Sequence, residues 1–468
     1  MSKRIKEFLE NQYSDFATYR VYQRLPHIID SLGQTQRKIL YVTEKASESK
    51  KFKTAQIYSE IYGKTSYLHG DSSAYNVAEN LARSCSNNLN LLTEEGSFGY
   101  RTNKSAASPR YTSTRFSPIA RLIFRQEDQD ILPGQEFEGK PIEPHFLLPI
   151  VPISLINGFL GIAVGFSSKF LPRDPEVLID ECIRLLQHRK KHQNLDKFKV
   201  RQIPLKFPFY NGNIMHNIGH ANPSAWVMTG RIRKTKRRNI IEIYEVPPEY
   251  TRESYLKKLK ALLDKGTIKD FSDESKKNTF YFKVKLPPDL GRLSEDEIIE
   301  KLKLTDDYVE NFTFIDPGAR GADEPILKFD TAEDYLRFFM ERRQDFYTIR
   351  RQYQLDKLRA EIDVLLARIR FIKEVNDGLI IITKRKKKDL EIELKTLEYQ
   401  EVDNSYDYLL GMRMHALTEE NIVKFKKVIE DRQQVFDQLM ALAPEDIHIN
   451  ELRELKRAIQ PEIQKKTK

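Results

Sequence analysis

Residues 331–375 contain neither glycine nor proline. With no helix breaker inside the run, Leu358, Ile362, Leu365, Ile369 and Ile372 recur at alternating four- and three-residue spacing. That is the seam of a helix packing lengthwise on another helix. At 1.5 Å per residue such a helix extends roughly 65 to 70 Å, about twice the diameter of a small domain. Gly378 interrupts it, and a second seam follows Thr418 through Ile422, Phe425, Ile429, Arg432, Phe436 and Leu439. The two seams predict an antiparallel coiled coil flanking a small tip. The same spacing also fits a helical hairpin folded onto its own domain.

The remainder reads as an α+β multidomain chain. Residues 1–30 form an N-terminal arm with a helical start. Over 31–146, helical periodicity at 31–46, 54–62 and 72–84, with a short glycine-containing turn between the last two, predicts a helix-turn-helix. Asp71 is placed to cap its second helix. A glycine-punctuated wing follows, completing a winged-helix domain. Between 147 and 330, short strands such as 240–246 and 280–284 alternate with helices such as 254–263. Residues 331–445 hold the coiled coil, and 446–468 a short basic tail.

Bulk properties narrow the class. The 468 residues are 40% hydrophobic and 31% charged, and the net charge is +10. A basic surplus suits a polyanionic partner. No apolar run of about 18 residues is present, so no membrane helix is expected. The start of the chain lacks the apolar region of a secretory signal. Only two cysteines occur, without a CxxC pair, so neither disulfides nor a zinc site is indicated and a reducing cytoplasm is expected.

The chemistry is concentrated in Ala106-Ala107-Ser108-Pro109-Arg110-Tyr111. A phenol with an ordinary pKa near ~10 can attack a phosphodiester only if it loses its proton and the charge building on phosphorus oxygens is met by a cation. Arg110 cannot deprotonate and forks onto phosphate. The dipeptide means little alone; its frame gives it weight. His69-Gly70-Asp71-Ser72 precedes it, Gly96-Ser97-Phe98-Gly99 lies between, and Asn157-Gly158 with Gly161-Ile162-Ala163-Val164-Gly165 follows.

That ordered set resembles the DNA-cleaving subunit of type IIA topoisomerases, with Ile243-Tyr244-Glu245-Val246-Pro247 and Leu410-Gly411-Met412 as further points of likeness. The resemblance implies that Tyr111 forms a transient 5′-phosphotyrosyl bond in a double-strand break. Arg110 would stabilise the transition state, and His69 would lie close to the scissile phosphate. Tyr67 stands where bacterial relatives commonly carry a second histidine. The arm arginine of the family falls at Gln23, so that Arg24 or Arg20 replaces it or the role is weakened; Arg24 is taken as the catalytic candidate. Residues 30–40 match a basic family segment, making Arg37 and Lys38 expected phosphate contacts. Lys64 and Arg121 join them as expected DNA contacts. Ser72 matches a position that contacts quinolone drugs through a metal-bound water, with Asn76 in place of the usual acid. Ile162 matches the wedge that unstacks a base step; a buried strand with glycine bends is the plain alternative. Arg233 and Lys234, within the basic run 231–238, are expected on a hairpin of the tower domain, close to flanking phosphates.

The implied partners are double-stranded DNA, an ATPase/toprim subunit, and a second copy through the C-terminal gate, with no membrane. Mg2+ and ATP are expected on the partner subunit, because no GxxxxGK[ST] loop is present and Asp128-Gln129-Asp130 lacks the Glu-Gly-Asp context of a toprim site. The expected activity is relaxation and decatenation, without gyrase-type supercoiling for want of a C-terminal wrapping domain. The layout looks most like the medium subunit of a T-even-type bacteriophage enzyme, placing it in host cytoplasm. The rival is a non-catalytic, dimeric winged-helix protein that bends DNA.

Overall fold

A computed structural model describes residues 3–195, 198–237, 239–316, 326–413 and 418–467. They fall into two compact units, one formed by 1–344 with 448–468 and the other by 345–447. The α+β expectation holds.

In the larger unit, the arm is helical and ends in the helix Ser14–Arg24. It stops where it does because a following proline disfavours helical geometry, and Leu25 before Pro26 is extended. Beyond that proline the backbone is stitched to the strand Phe312–Ile315. Ile28 N donates to Ile315 O at 2.9 Å, and Ile315 N donates to Pro26 O at 2.9 Å.

Three helices follow, Gln34–Glu44, Thr54–Thr65 and Asp71–Ala82. Ile39, Leu40, Ile57, Ile61, Ala74, Ala78 and Leu81 bury their shared faces, at the three- and four-residue intervals of one helix side. The cap of the third helix is Gly70, not Asp71. Asp71 is the first helical residue, and its Oδ1 accepts from Ser72 N at 2.7 Å. The short strands Phe52–Lys53 and Ser113–Thr114 pair antiparallel and tie the wing to the helices.

Beyond the wing, the strands Arg231–Lys234, Ile240–Glu245, Phe282–Lys285 and Asp270–Asp273 form an antiparallel sheet. The helix Arg252–Asp264 covers it with Tyr255, Leu259 and Leu262 against Ile241, Ile243, Phe282 and Val284. Two buried cations lock these layers to the rest of the unit. Arg101, from the wing, donates to the carbonyls of Tyr250, Val246 and Pro247 and lies 3.7 Å from Glu245. The Glu-Val-Pro motif thus forms the carbonyl cradle of a guanidinium. Arg173 forks onto Glu310 at 2.7 and 2.9 Å, and Glu310 also accepts from Leu171 N and Trp226 Nε1.

In the smaller unit, the helix Ala332–Asn376 continues past residue 345. Ile369 and Ile372 pack with Ile422, Phe425 and Ile429 of the helix Glu419–Ala441. Glu361 pairs with Arg432, and Arg351 donates to the carbonyls of Leu439 and Met440. As one residue number rises its partner's falls, which makes the pair antiparallel. Phe371, Ile380, Leu394, Tyr399, Tyr406 and Leu409 form the tip's core.

Residues 446–467 are not a tail. Pro444–Thr467 is a helix whose Leu452, Leu455 and Ile459 are buried. Near its end, Lys466 Nζ donates to Asn87 O, Asn88 O and Asn90 Oδ1 at 2.8 to 3.0 Å. The basic letters hid an apolar stripe at helical spacing.

One buried histidine makes this unit acid-sensitive. His27 accepts from Ile29 N through Nδ1, and burial lowers its pKa to about 4. Between pH 6.5 and 4 the unfolded chain therefore binds a proton that the folded chain refuses, so stability falls as pH falls. From pH 7 to 5 this amounts to about 2 kcal/mol. Glu44, pushed up to about 7 by burial, acts with the opposite sign across 4.5 to 7. The test is therefore the difference between parent and His27→Asn. Urea titrations at pH 7 and 5 should show the parent losing more stability than the variant; equal losses would contradict the assignment.

Candidate active site

Tyr111 sits on a loop held from both ends by a helix N-terminus. The first turn of Thr54–Thr65 has backbone N–H groups without intrahelical partners. Thr54 N donates to Thr112 O at 3.1 Å, and Ala55 N donates to Pro109 O at 3.2 Å. The hydroxyls of Thr54 and Thr112 meet at 2.7 Å, and Tyr111 N closes a turn on Ser108 O at 2.8 Å. The Gly96–Gly99 turn supports the loop from behind. Ala107 N donates to Ser97 O, and Gly99, at φ +99°, leaves no room for a Cβ, which would lie 2.8 Å from the Lys104 carbonyl carbon.

On this rigid loop Tyr111 is 71% exposed. No hydrogen bond among the described residues engages its hydroxyl. The Arg110 guanidinium carbon lies 5.9 Å from the Tyr111 ring centroid, and its Nε reaches Ser108 Oγ at 3.3 Å. A fixed backbone thus presents a free phenol beside a cation.

His69 lies in the turn before the third helix and is met by the arm. Tyr19 Oη is 3.0 Å from His69 Nε2, and the Gln23 amide nitrogen contacts the same atom. Arg20 donates to Gln23 Oε1 at 2.8 Å. Arg24 is exposed and makes no side-chain hydrogen bond or ion pair among the described residues. Tyr67 is buried with its ring edge-on to His69, at 5.3 Å between centroids.

Ile162, the expected wedge, is borne by a two-stranded hairpin, Phe159–Ile162 with Ser167–Phe170. Ile162 is 68% exposed, so the buried-strand alternative fails. Gly161 is required here, because a Cβ would be driven into the Arg24 carbonyl of the arm. Leu160, missed in the sequence, is 67% exposed. It shares the face of Ile162, since strand residues alternate. The signal was present in the motif's own two-residue period.

Arg37 and Lys38 correct the sequence reading. Arg37 is buried and forks onto Asp30 Oδ2 and Oδ1 at 2.6 and 3.2 Å. Lys38 is buried, 2.7 Å from Glu143 and donating to Thr65 O. Burial, opposed by Glu143, lowers its pKa. Neither cation can reach a phosphate without opening the core. Lys64 is exposed and pairs with Glu60 at 2.7 Å, and Ser72 is exposed on the third helix. Arg121 is half-buried against Phe116 and pairs with Glu48 at 3.2 Å. Arg233 and Lys234 do lie on a hairpin; Arg233 pairs with Glu242 at 2.6 Å and Lys234 donates to Leu293 O. Arg238 lies outside the described residues.

Mg2+ chemistry does not fit these side chains. Asp128 is buried in an ion pair with Arg343, and no group of three metal-capable side chains occurs among the described residues. No helix among them is long and apolar enough to cross a membrane.

A helix-turn-helix body thus presents an exposed tyrosine, a neighbouring arginine and an exposed isoleucine on a hairpin. The family of DNA gyrase/topoisomerase IV A subunits matches residues 24–455, and this chain belongs to it. It is 29% identical to DNA topoisomerase 2 of Penicillium chrysogenum over 96% of this chain and 30% of the relative. It is 28% identical to the mitochondrial DNA topoisomerase 2 of Dictyostelium discoideum, over 98% of this chain and 36% of that one. The chain thus spans about a third of the length of these curated relatives. A crystal structure of the Plasmodium falciparum topoisomerase II DNA-binding, cleavage and re-ligation domain is similar with a TM-score of 0.81 and 26% identity, over 97% of this chain and 64% of that one.

Proposed function

We propose that this chain carries out DNA breakage and rejoining for a type IIA topoisomerase. The Tyr111 phenol loses its proton and attacks a backbone phosphate. A tyrosyl–phosphorus bond forms at the DNA 5′ end, the bond to the 3′ oxygen breaks, and a 3′ hydroxyl leaves. One phosphoester replaces another, so the reverse attack reseals the strand. Arg110 meets the charge on the phosphate oxygens. The observation that carries this reading is the exposed Tyr111 on a loop sewn to the first turn of a helix-turn-helix. Lys64, Ser72, Arg121, Arg233 and Lys234 are proposed to contact the DNA backbone, all but Ser72 after exchanging their present partners.

In this reading two copies act together on duplex DNA through the tip of the antiparallel helices, and the assembled enzyme relaxes and decatenates DNA. Metal and ATP come from an ATPase/toprim polypeptide, proposed to be a separate chain like that of the T-even-type enzyme. That Asp128 is engaged by Arg343 supports a metal site outside this chain. Denaturant trapping on DNA, with Mg2+ and a toprim-bearing polypeptide supplied, should give a covalent adduct whose nucleotide maps to residue 111. No adduct under any partner or metal condition would favour the non-catalytic DNA-bending reading.

The wedge gives a second expectation. Burying an apolar side chain of this size between bases is worth about 1.5–3 kcal/mol. Ile162→Ala should therefore reduce DNA bending and weaken binding roughly tenfold. Leu160→Ala should add to the loss, read by fluorescence energy transfer between labelled duplex ends. Unchanged bending in the double variant would remove the hairpin's role.

A further inference from the structure

Tyr19, Arg20 and Gln23 lie one turn apart on the arm helix and converge on His69. Their donor and acceptor types leave one arrangement. Arg20 can only donate, so the oxygen of Gln23 must face it. The amide nitrogen of Gln23 then faces His69 and can itself only donate. Toward Gln23, His69 Nε2 can only accept and so carries no proton, which places the ring proton on Nδ1; the Tyr19 hydroxyl, able to donate or accept, follows that choice. Protonating Nε2 would set its N–H against that of Gln23 and leave only the Tyr19 hydroxyl to accept it.

The cations around this ring divide the same way. Burial lowers the pKa of His69, and Arg20, Arg24 and Lys38 lower it further, in that order. Lys38 is already neutralised by Glu143. Arg24 has no polar contact toward the ring. Arg20 is fixed to it through Gln23, and its other guanidinium nitrogens make no hydrogen bond among the described residues. Tyr19 and Tyr67 complete the surroundings without an anion.

We propose that Gln23 is the positioning residue of this site: it locks His69 as the neutral Nδ1–H tautomer and seats Arg20, not Arg24, beside it as the cation for the DNA phosphate. Only the phosphate assignment rests on the cleavage function proposed above. The tautomer lock is a property of the free chain. His69 then serves as a donor through Nδ1–H, while the arm occupies the lone pair that a base would need.

Two measurements on the full chain test it. Nitrogen-15 histidine NMR without DNA should show His69 neutral and Nδ1-protonated at pH 7. Gln23→Glu can accept from a protonated Nε2 and should raise the His69 titration midpoint by at least one pH unit. Gln23→Ala should release the lock and give mixed tautomers. A midpoint and tautomer unchanged in both variants would overturn the lock. With DNA, metal and a toprim-bearing polypeptide, Arg20→Ala should lose at least tenfold more covalent adduct than Arg24→Ala, with partial recovery in Arg20→Lys. Equal or reversed losses would overturn the Arg20 assignment. Absence of adduct in the parent itself would instead defeat the cleavage function and, with it, the role of Arg20 at phosphate, leaving the NMR result to decide the lock.

Discussion

Tyr111→Phe is expected to abolish the denaturant-resistant DNA adduct, lowering its yield by at least about three orders of magnitude, while duplex binding changes less than about twofold. The asymmetry follows from the loop's construction. Every contact that holds it is made by backbone or by neighbours: Thr54 N to Thr112 O, Ala55 N to Pro109 O, and Tyr111 N to Ser108 O. The phenol oxygen supports none of them, so its removal deletes the proposed nucleophile and leaves the platform. Melting temperature should stay within about 1 °C of the parent. Adduct that persists in the phenylalanine variant would mean that another atom attacks. Lost folding would mean that the hydroxyl has a structural role the geometry does not assign.

Glu310→Ala is expected to destabilise the larger unit by about 3–5 kcal/mol. The carboxylate accepts four hydrogen bonds, from both ends of the Arg173 fork, from Leu171 N and from Trp226 Nε1. Arg173 and Glu310 are both buried, so truncation leaves a guanidinium without its counterion, away from water. The site reports on itself, because Trp226 is the chain's single tryptophan. Its emission should shift in the folded variant, and its unfolding transition should move to lower denaturant. A variant with parental stability would show that water reaches Arg173.

Much of this was legible where one physical rule dominates. The long helix followed from absent breakers and a four-three seam, and the structure extends it over Ala332–Asn376. The helix-turn-helix followed from apolar spacing and a glycine turn. Gly99 beside the tyrosine loop and Gly161 beside Ile162 marked places where a Cβ has no room. What failed was side-chain destination. Arg37 and Lys38 sit among basic letters, yet their partners are Asp30 and Glu143, and the second is more than a hundred residues away in sequence. Residues 446–468 looked basic and terminal because charge is visible in a string, whereas the buried Leu452, Leu455 and Ile459 matter only against a surface the string does not display. At the site, Gln23 registered only as a departure from a pattern. Its meaning depends on Arg20 and His69 meeting at one amide.

The clamp of Lys466 on the carbonyls of Asn87 and Asn88 spans 379 and 378 positions of chain. The larger unit is thus interrupted by the whole of 345–447 before its last helix arrives. During synthesis the region around Asn87 and Asn88 emerges early but waits for Lys466, its buttress, until the whole of 345–447 has followed it out of the ribosome. Contacts of such separation fold slowly and leave apolar surface open meanwhile, so nascent chains stalled inside the inserted hairpin should be the species most in need of a chaperone.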